Sequence, residues 1–195
     1  MIEQLEPEIY SEIYSPLEDS YLMSNALKSE IPNLLEKNSN LKFLEIGAGS
    51  GINLETAFGS GIKKENILGT DINNLAVEHC KKLGFECISS DLFAKIPKNK
   101  KFDLIIFNPP YLTLDKKEPK SSRISTTAGK KGNEIIIKFL KQTKNYLLIN
   151  GKIFLLTSSL SKKIDFKKLG YDAEKILSQK LFFEEIVLWC LKNSR

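Results

Sequence analysis

From about residue 42 the chain alternates between short apolar runs and longer stretches with apolar residues every three or four positions. The runs Phe43-Leu44-Glu45-Ile46, Ile67-Leu68-Gly69-Thr70, Glu86-Cys87-Ile88, Phe102-Asp103-Leu104-Ile105-Ile106-Phe107 and Lys152-Ile153-Phe154-Leu155-Leu156 predict strands. Stretches 52–60, 73–83 and 133–148 predict helices between them. Strands separated by helices imply right-handed crossovers, and so a mostly parallel sheet covered on both faces. The run at 102–107 has the near-continuous apolar character of a central strand.

The end of the chain breaks this alternation. A short helix is predicted near 161–169, followed by strand-like runs at 171–177 and 181–191 with only a few residues between them. Strands joined so tightly pair antiparallel, because a parallel return needs a long crossover. The expected fold is therefore α/β, a doubly wound Rossmann-like sheet, mostly parallel with one antiparallel C-terminal strand. Residues 1–40 read as a lead-in to a single domain over 41–195. Within the lead-in, Ser15-Pro16-Leu17-Glu18 predicts a helix start, with Ser15 as N-cap, Pro16 at the first position and Glu18 closing a capping box. That helix would run to about Lys28, with Leu22, Met23, Ala26 and Leu27 on its apolar side.

Composition narrows the setting. At 195 residues and 42% hydrophobic content the chain can bury one sizeable core. No apolar run approaches the ~18 residues of a membrane helix. The acidic start Met1-Ile2-Glu3-Gln4-Leu5-Glu6 lacks a secretory pattern, so a cytoplasmic location is expected. Cys80, Cys87 and Cys190 are odd in number and lie among apolar residues, which suits reduced thiols. His79 meets no ligand spacing and reads as a structural histidine, so no metal site is expected. A net charge of +5 fits scattered solvated lysines, or an anionic partner such as ribosome-bound RNA.

Two constellations carry chemistry. Glu45-Ile46-Gly47-Ala48-Gly49-Ser50-Gly51 ends the first strand and opens a helix, and its glycines let a ligand approach the backbone. Ile52 stands where a dinucleotide fingerprint needs its last glycine, and no Gly-Lys-Ser/Thr of a P-loop follows. Asp71, at the end of the next strand, is placed to accept both hydroxyls of a ribose. Asp91, followed by Leu92 and Phe93, is placed for an adenine amino group, although either aspartate could instead cap a helix. The second constellation is Asn108-Pro109-Pro110-Tyr111, directly after the central strand. Its prolines stiffen a turn that can present the Asn108 side-chain oxygen and the Pro109 carbonyl together. Two such acceptors match the two hydrogens of a planar NH2 group, with Tyr111 covering its face.

The acidic residue with alternating glycines resembles motif I of the class I S-adenosylmethionine-dependent methyltransferases. The Asn-Pro-Pro-Tyr turn resembles the catalytic motif of amino-methyltransferases acting on adenine N6, guanine N2 or protein glutamine. Ile13-Tyr14-Ser15-Pro16-Leu17-Glu18-Asp19-Ser20 and Ala128-Gly129-Lys130-Lys131-Gly132-Asn133-Glu134 resemble segments of the archaeal and eukaryotic branch of the HemK-like family. By that resemblance Ser20, Glu45, Gly47, Gly49, Gly51, Asp71, Asp91, Leu92 and Asn108 would contact S-adenosylmethionine. Asn108, Pro109 and Tyr111 would hold the substrate, and Asn108, Pro109, Pro110 and Tyr111 would form the catalytic turn. Lys130 departs from a family glycine and Thr127 from an aromatic residue.

The resemblance implies N5-methylation of a glutamine in the Gly-Gly-Gln loop of a class-1 release factor. It also implies a small zinc-binding activator subunit as partner in a heterodimer. The alternatives are an adenine-N6 or guanine-N2 enzyme of DNA or RNA, and a non-catalytic scaffold of the same fold. A base-reading DNA enzyme usually carries an added recognition domain, for which this chain has no room. Residues 112–133 form a long predicted loop with Lys116, Lys117, Lys120, Arg123, Lys130 and Lys131, suited to a solvated loop or to a substrate lid.

Overall fold

The computed structural model describes residue 13, residues 16–110 and residues 133–194. Within them the elements are α1 (Glu18–Lys37), β1 (Phe43–Ile46), α2 (Ile52–Gly59), β2 (Ile67–Asp71), α3 (Asn74–Lys82), β3 (Glu86–Ser89), β4 (Phe102–Phe107), α4 (Glu134–Thr143), β5 (Leu147–Ser158), β6 (Tyr171–Leu181) and β7 (Glu184–Asn193). The seven strands form one sheet in the order β3-β2-β1-β4-β5-β7-β6. Neighbours from β3 to β5 pair parallel, and β7 pairs antiparallel with both β5 and β6. One strand thus runs against the rest, as expected. No described helix is long and apolar enough to cross a membrane.

Period-two alternation distributes the strand residues between two cores. Phe43, Leu104, Ile106, Phe154 and Leu156 face one side, where Leu22, Met23, Leu27 and Ile31 of α1 pack with Leu54 of α2 and Val77 of α3. Leu44, Ile105, Phe107, Ile153 and Leu155 face the other, against Ile136, Phe139 and Leu140 of α4. Leu104, Ile105 and Ile106 are fully buried, which a central strand covered on both faces requires.

Five expectations are corrected. Helix α1 begins at Glu18 with Leu17 as N-cap and no side-chain cap, so Pro16 lies outside it and the capping box does not form; Ser15 is outside the described residues. It then passes through Pro32 to Lys37 instead of stopping near Lys28. Proline forfeits one helical hydrogen bond, but Ile31 is fully buried and Leu34 and Leu35 pack on the core, which holds the helix together. Helix α4 ends at Thr143, and strand β5 starts at Leu147, earlier than expected. The expected helix at 161–169 is one turn only: Asp165 caps it through Lys168 N–H at 3.0 Å, and Gly170 closes it at φ +82°. The hairpin turn is Phe182-Phe183, since Leu181 closes β6 and pairs with Glu184 of β7.

Candidate active site

The strand order reverses direction at β1, whose neighbours are β2 and β4, and it is at such a switch point that open α/β sheets bind ligands. Registers Ile46↔Thr70 and Ile46↔Phe107 set the ends of β1, β2 and β4 level. The glycine-rich turn, Asp71 and the Asn-Pro-Pro segment therefore leave the sheet along one edge.

Gly47, Gly49 and Gly51 have φ of +72°, +50° and +79°, a region that side chains rarely occupy. The N–H groups of Gly47 and Ala48 donate to Thr70 O at 2.7 and 2.9 Å, strapping the turn to β2. A Cβ on Gly51 would lie 2.9 Å from Leu83 Cδ1 and 3.3 Å from Cys80 Sγ. From α3, the half-buried His79 places Nε2 3.1 Å from Ser50 O. The lone histidine thereby steadies this turn. Cys80, Cys87 and Cys190 are free and buried. A hydrogen bond with Cys87, together with burial, pushes the Cys80 thiol up, away from the reactive thiolate.

Glu45 is buried in β1. Its Oε1 accepts from Asn53 Nδ2 at 2.9 Å, while Oε2 is shielded from solvent and has no partner among the described residues. Burial lifts its carboxyl well above the usual range, and the Asn53 bond offsets only part of that. Asn53 Oδ1 in turn accepts from Ser24 Oγ at 2.9 Å, so α1 and α2 jointly orient the glutamate. Asp71 accepts from Gly49 N–H at 2.9 Å through Oδ2 and from Asn73 N–H at 2.8 Å through Oδ1. Burial raises its pKa and these backbone bonds lower it. The cap of α3 is Asn73, which accepts from Leu75 N–H at 3.0 Å, so Asp71 is not spent on capping.

Asp91 lies just beyond β3, half exposed, and pairs with Lys138 Nζ of α4 at 2.6 Å. Leu92 is buried at φ +50°, a left-handed conformation that costs a leucine energy and holds the backbone out of the regular path. Asn108 follows β4; its Nδ2 donates to Asp19 Oδ2 at 3.1 Å, and its Oδ1 is buried without a partner among the described residues. Pro109 is buried and Pro110 half-buried. Ser20, also buried, donates its N–H to Asp19 Oδ1 at 2.7 Å. Tyr111 lies outside the described residues, as do Tyr14, Thr127, the whole of 128–132 and the basic loop up to 132. Of that segment only Asn133 and Glu134 are described, and Asn133 Nδ2 donates to Lys162 O at 3.1 Å.

The sequence reading missed Asp19, Asn53, His79 and Lys138 as site residues. Asp19 was visible inside Glu18-Asp19-Ser20, but nothing in sequence tells that its partner is Asn108. The other three are ordinary helix residues whose contacts exist only after packing.

Known methyltransferases resemble this chain in sequence and in fold. The model of the Eco57I restriction-modification methylase family matches residues 84–189. A protein of Methanocaldococcus jannaschii named "Putative protein N5-glutamine methyltransferase" is 34% identical, over 96% of this chain and 95% of its own. Methyltransferase HEMK2 of Homo sapiens is 29% identical over 76% of this chain and 72% of its own. Among solved structures, the E. cuniculi Mtq2–Trm112 complex, described as responsible for methylating the eRF1 translation termination factor, superposes with a TM-score of 0.68. That match has 23% identity and covers 94% of this chain and 99% of the other.

Proposed function

The chain belongs to the class I S-adenosylmethionine-dependent methyltransferases, in their HemK-like branch, and on that premise we propose that it methylates the side-chain amide nitrogen of a glutamine in the Gly-Gly-Gln loop of a class-1 release factor. The observation that carries transfer to a planar amino group is Asn108 Oδ1, a buried acceptor with no partner among the described residues at the end of the central strand, and the relative named a protein N5-glutamine methyltransferase favours the amide. A buried acceptor left unpaired costs free energy, and a substrate N–H removes that cost.

The residues present fit S-adenosylmethionine. Glu45 Oε2 is a second unpartnered buried acceptor, suited to the cationic methionine half of the cofactor. Each Asp71 oxygen keeps a lone pair for a ribose hydroxyl beside its backbone bond. Gly47, Gly49 and Gly51 keep side chains off the turn, and Asp91 and Leu92 stand at the adenine end, with Ser20 beside Asp19. When bound, the cofactor supplies an electrophilic methyl group on a sulfonium.

The chain's own part is positioning. Asn108 Oδ1 and the Pro109 carbonyl hold the two amide hydrogens, turning the nitrogen lone pair toward the methyl group. The nitrogen becomes strongly acidic on methylation, so its proton leaves to water without a dedicated base. A small zinc-binding activator subunit, as Trm112 accompanies Mtq2, is the proposed partner.

The second reading, transfer to an adenine or guanine amino group of nucleic acid, draws on the Eco57I family match. Side-by-side labelling of a release factor, its Gln-to-Ala variant, DNA and RNA separates the two. Label on the release factor that disappears with the glutamine is the expected result; label on nucleic acid alone overturns the reading.

A further inference from the structure

The tip of the β6–β7 hairpin combines three features that stability does not explain. Phe182 and Phe183 are wholly exposed, at 105% and 96%. Phe182 has φ +44°, in a two-residue turn where glycine or asparagine is the unstrained choice. Next to them Glu184 Oε1 is shielded from solvent and accepts no hydrogen bond among the described residues, whereas Glu185 is already paired with Lys175 Nζ at 2.8 Å. Exposed apolar rings on a strained turn serve folding poorly, and such strain gathers where a protein binds.

Their position gives the reason. Phe107, the last residue of β4, is level with Leu155, and Leu155 is level with Trp189. Beyond that level β7 extends back toward its start at Glu184, so the turn stands roughly 20 Å further along the strand direction than the end that carries Asn108. It rises on the same side of the sheet edge, two strands across. Leu160, half exposed, follows β5 beside it, where Ser159 N–H donates to Glu185 O at 2.9 Å.

We propose that Phe182, Phe183 and Leu160, with the Glu184 carboxylate, form a docking surface for the folded protein whose side-chain amide enters at Asn108. This rests on the glutamine reading above. The rings seat in apolar depressions of the acceptor protein and Glu184 meets a lysine or arginine there. Exposed aromatics can also stack on bases, but single-strand binders set them in a positively charged groove. Here the Glu184 carboxylate follows the rings directly and, unlike Glu185, forms no ion pair among the described residues, which repels phosphate and favours a protein acceptor.

The test is steady-state transfer to a full-length release factor and to a short peptide spanning its Gly-Gly-Gln loop. The variants are Phe182→Gly/Phe183→Ser together, Phe183→Ser alone, which leaves the strained residue in place, and Glu184→Gln. The expected result is a KM for the protein raised about ten-fold in the double variant, with kcat and the peptide reaction as in the unaltered chain. An unchanged protein KM in all three overturns the proposal. So does an equal loss on protein and peptide, or weakened binding of a single-stranded RNA oligomer with the protein KM unmoved. Failure of the unaltered chain to label the release factor is a separate result that removes the glutamine reading and this proposal with it.

Discussion

Asp19 and Asn108, 89 residues apart in sequence, meet in one hydrogen bond of 3.1 Å that decides which way the Asn108 amide faces. A carboxylate oxygen accepts, so the amide turns its NH2 toward Asp19 and leaves Oδ1 directed elsewhere. Helix α1 is tied at its other end too, where Asn38 Nδ2 donates to Asp103 Oδ1 at 3.0 Å. Both ends of one helix thus hold the two ends of β4.

Replacing Asn108 with alanine removes the acceptor itself. Transfer is expected to fall by at least about a hundred-fold, with cofactor binding by calorimetry largely retained. Asp19→Ala leaves the acceptor but frees the amide to rotate, and a loss on the order of 10²-fold in kcat is expected. Full turnover in Asn108→Ala would mean that the turn has another role.

The Glu45 carboxyl gives a pH signature. Burial holds its pKa above the ordinary 4.5, so between that value and the folded value the native chain retains a proton that the unfolded chain has lost. Unfolding then releases a proton, and stability falls as pH rises through this window. Glu45→Gln is expected to flatten that slope in thermal melts. A cationic ligand favours the ionised form, so S-adenosylmethionine affinity rises with pH across the same window in the unaltered chain. A pH-independent affinity would remove Glu45 from the site.

Gly51→Ala places a Cβ against Leu83 and Cys80 at φ +79°. The strain costs about 1–2 kcal/mol, which for a chain of this size lowers the melting temperature by roughly 2–8 °C. A melt within a degree of the original would show that the turn adjusts freely.

Phe182→Gly relieves a left-handed phenylalanine and is expected to stabilise the chain by about 0.5–1 kcal/mol in denaturant unfolding. A destabilised variant would show that the ring packs in the folded state.

The strands that carry the site were readable because their signal is local. Phe43–Ile46 and Phe102–Phe107 are apolar runs of strand length, and both appear with the expected bounds. The 161–169 stretch misled because its composition permits a helix, while Gly170 ends it after one turn. Helix α1 is expected to stop near Lys28 but runs on through Pro32, where local chemistry discourages a helix and burial of Ile31 outweighs it.

By itself the sequence determined the alternation of strands and helices, the antiparallel return at the C-terminus, the glycines of the turn and the Asn-Pro-Pro segment after β4. These depend on periodicity, steric permission and chain length between elements, all of which act over a few residues. Only the tertiary structure decided that Asp19 orients Asn108, that Asn53 and Ser24 brace Glu45, and that Phe182 and Phe183 stand on the edge that carries the site. Each joins segments distant in sequence, and such contacts exist only once the sheet order has brought those segments together.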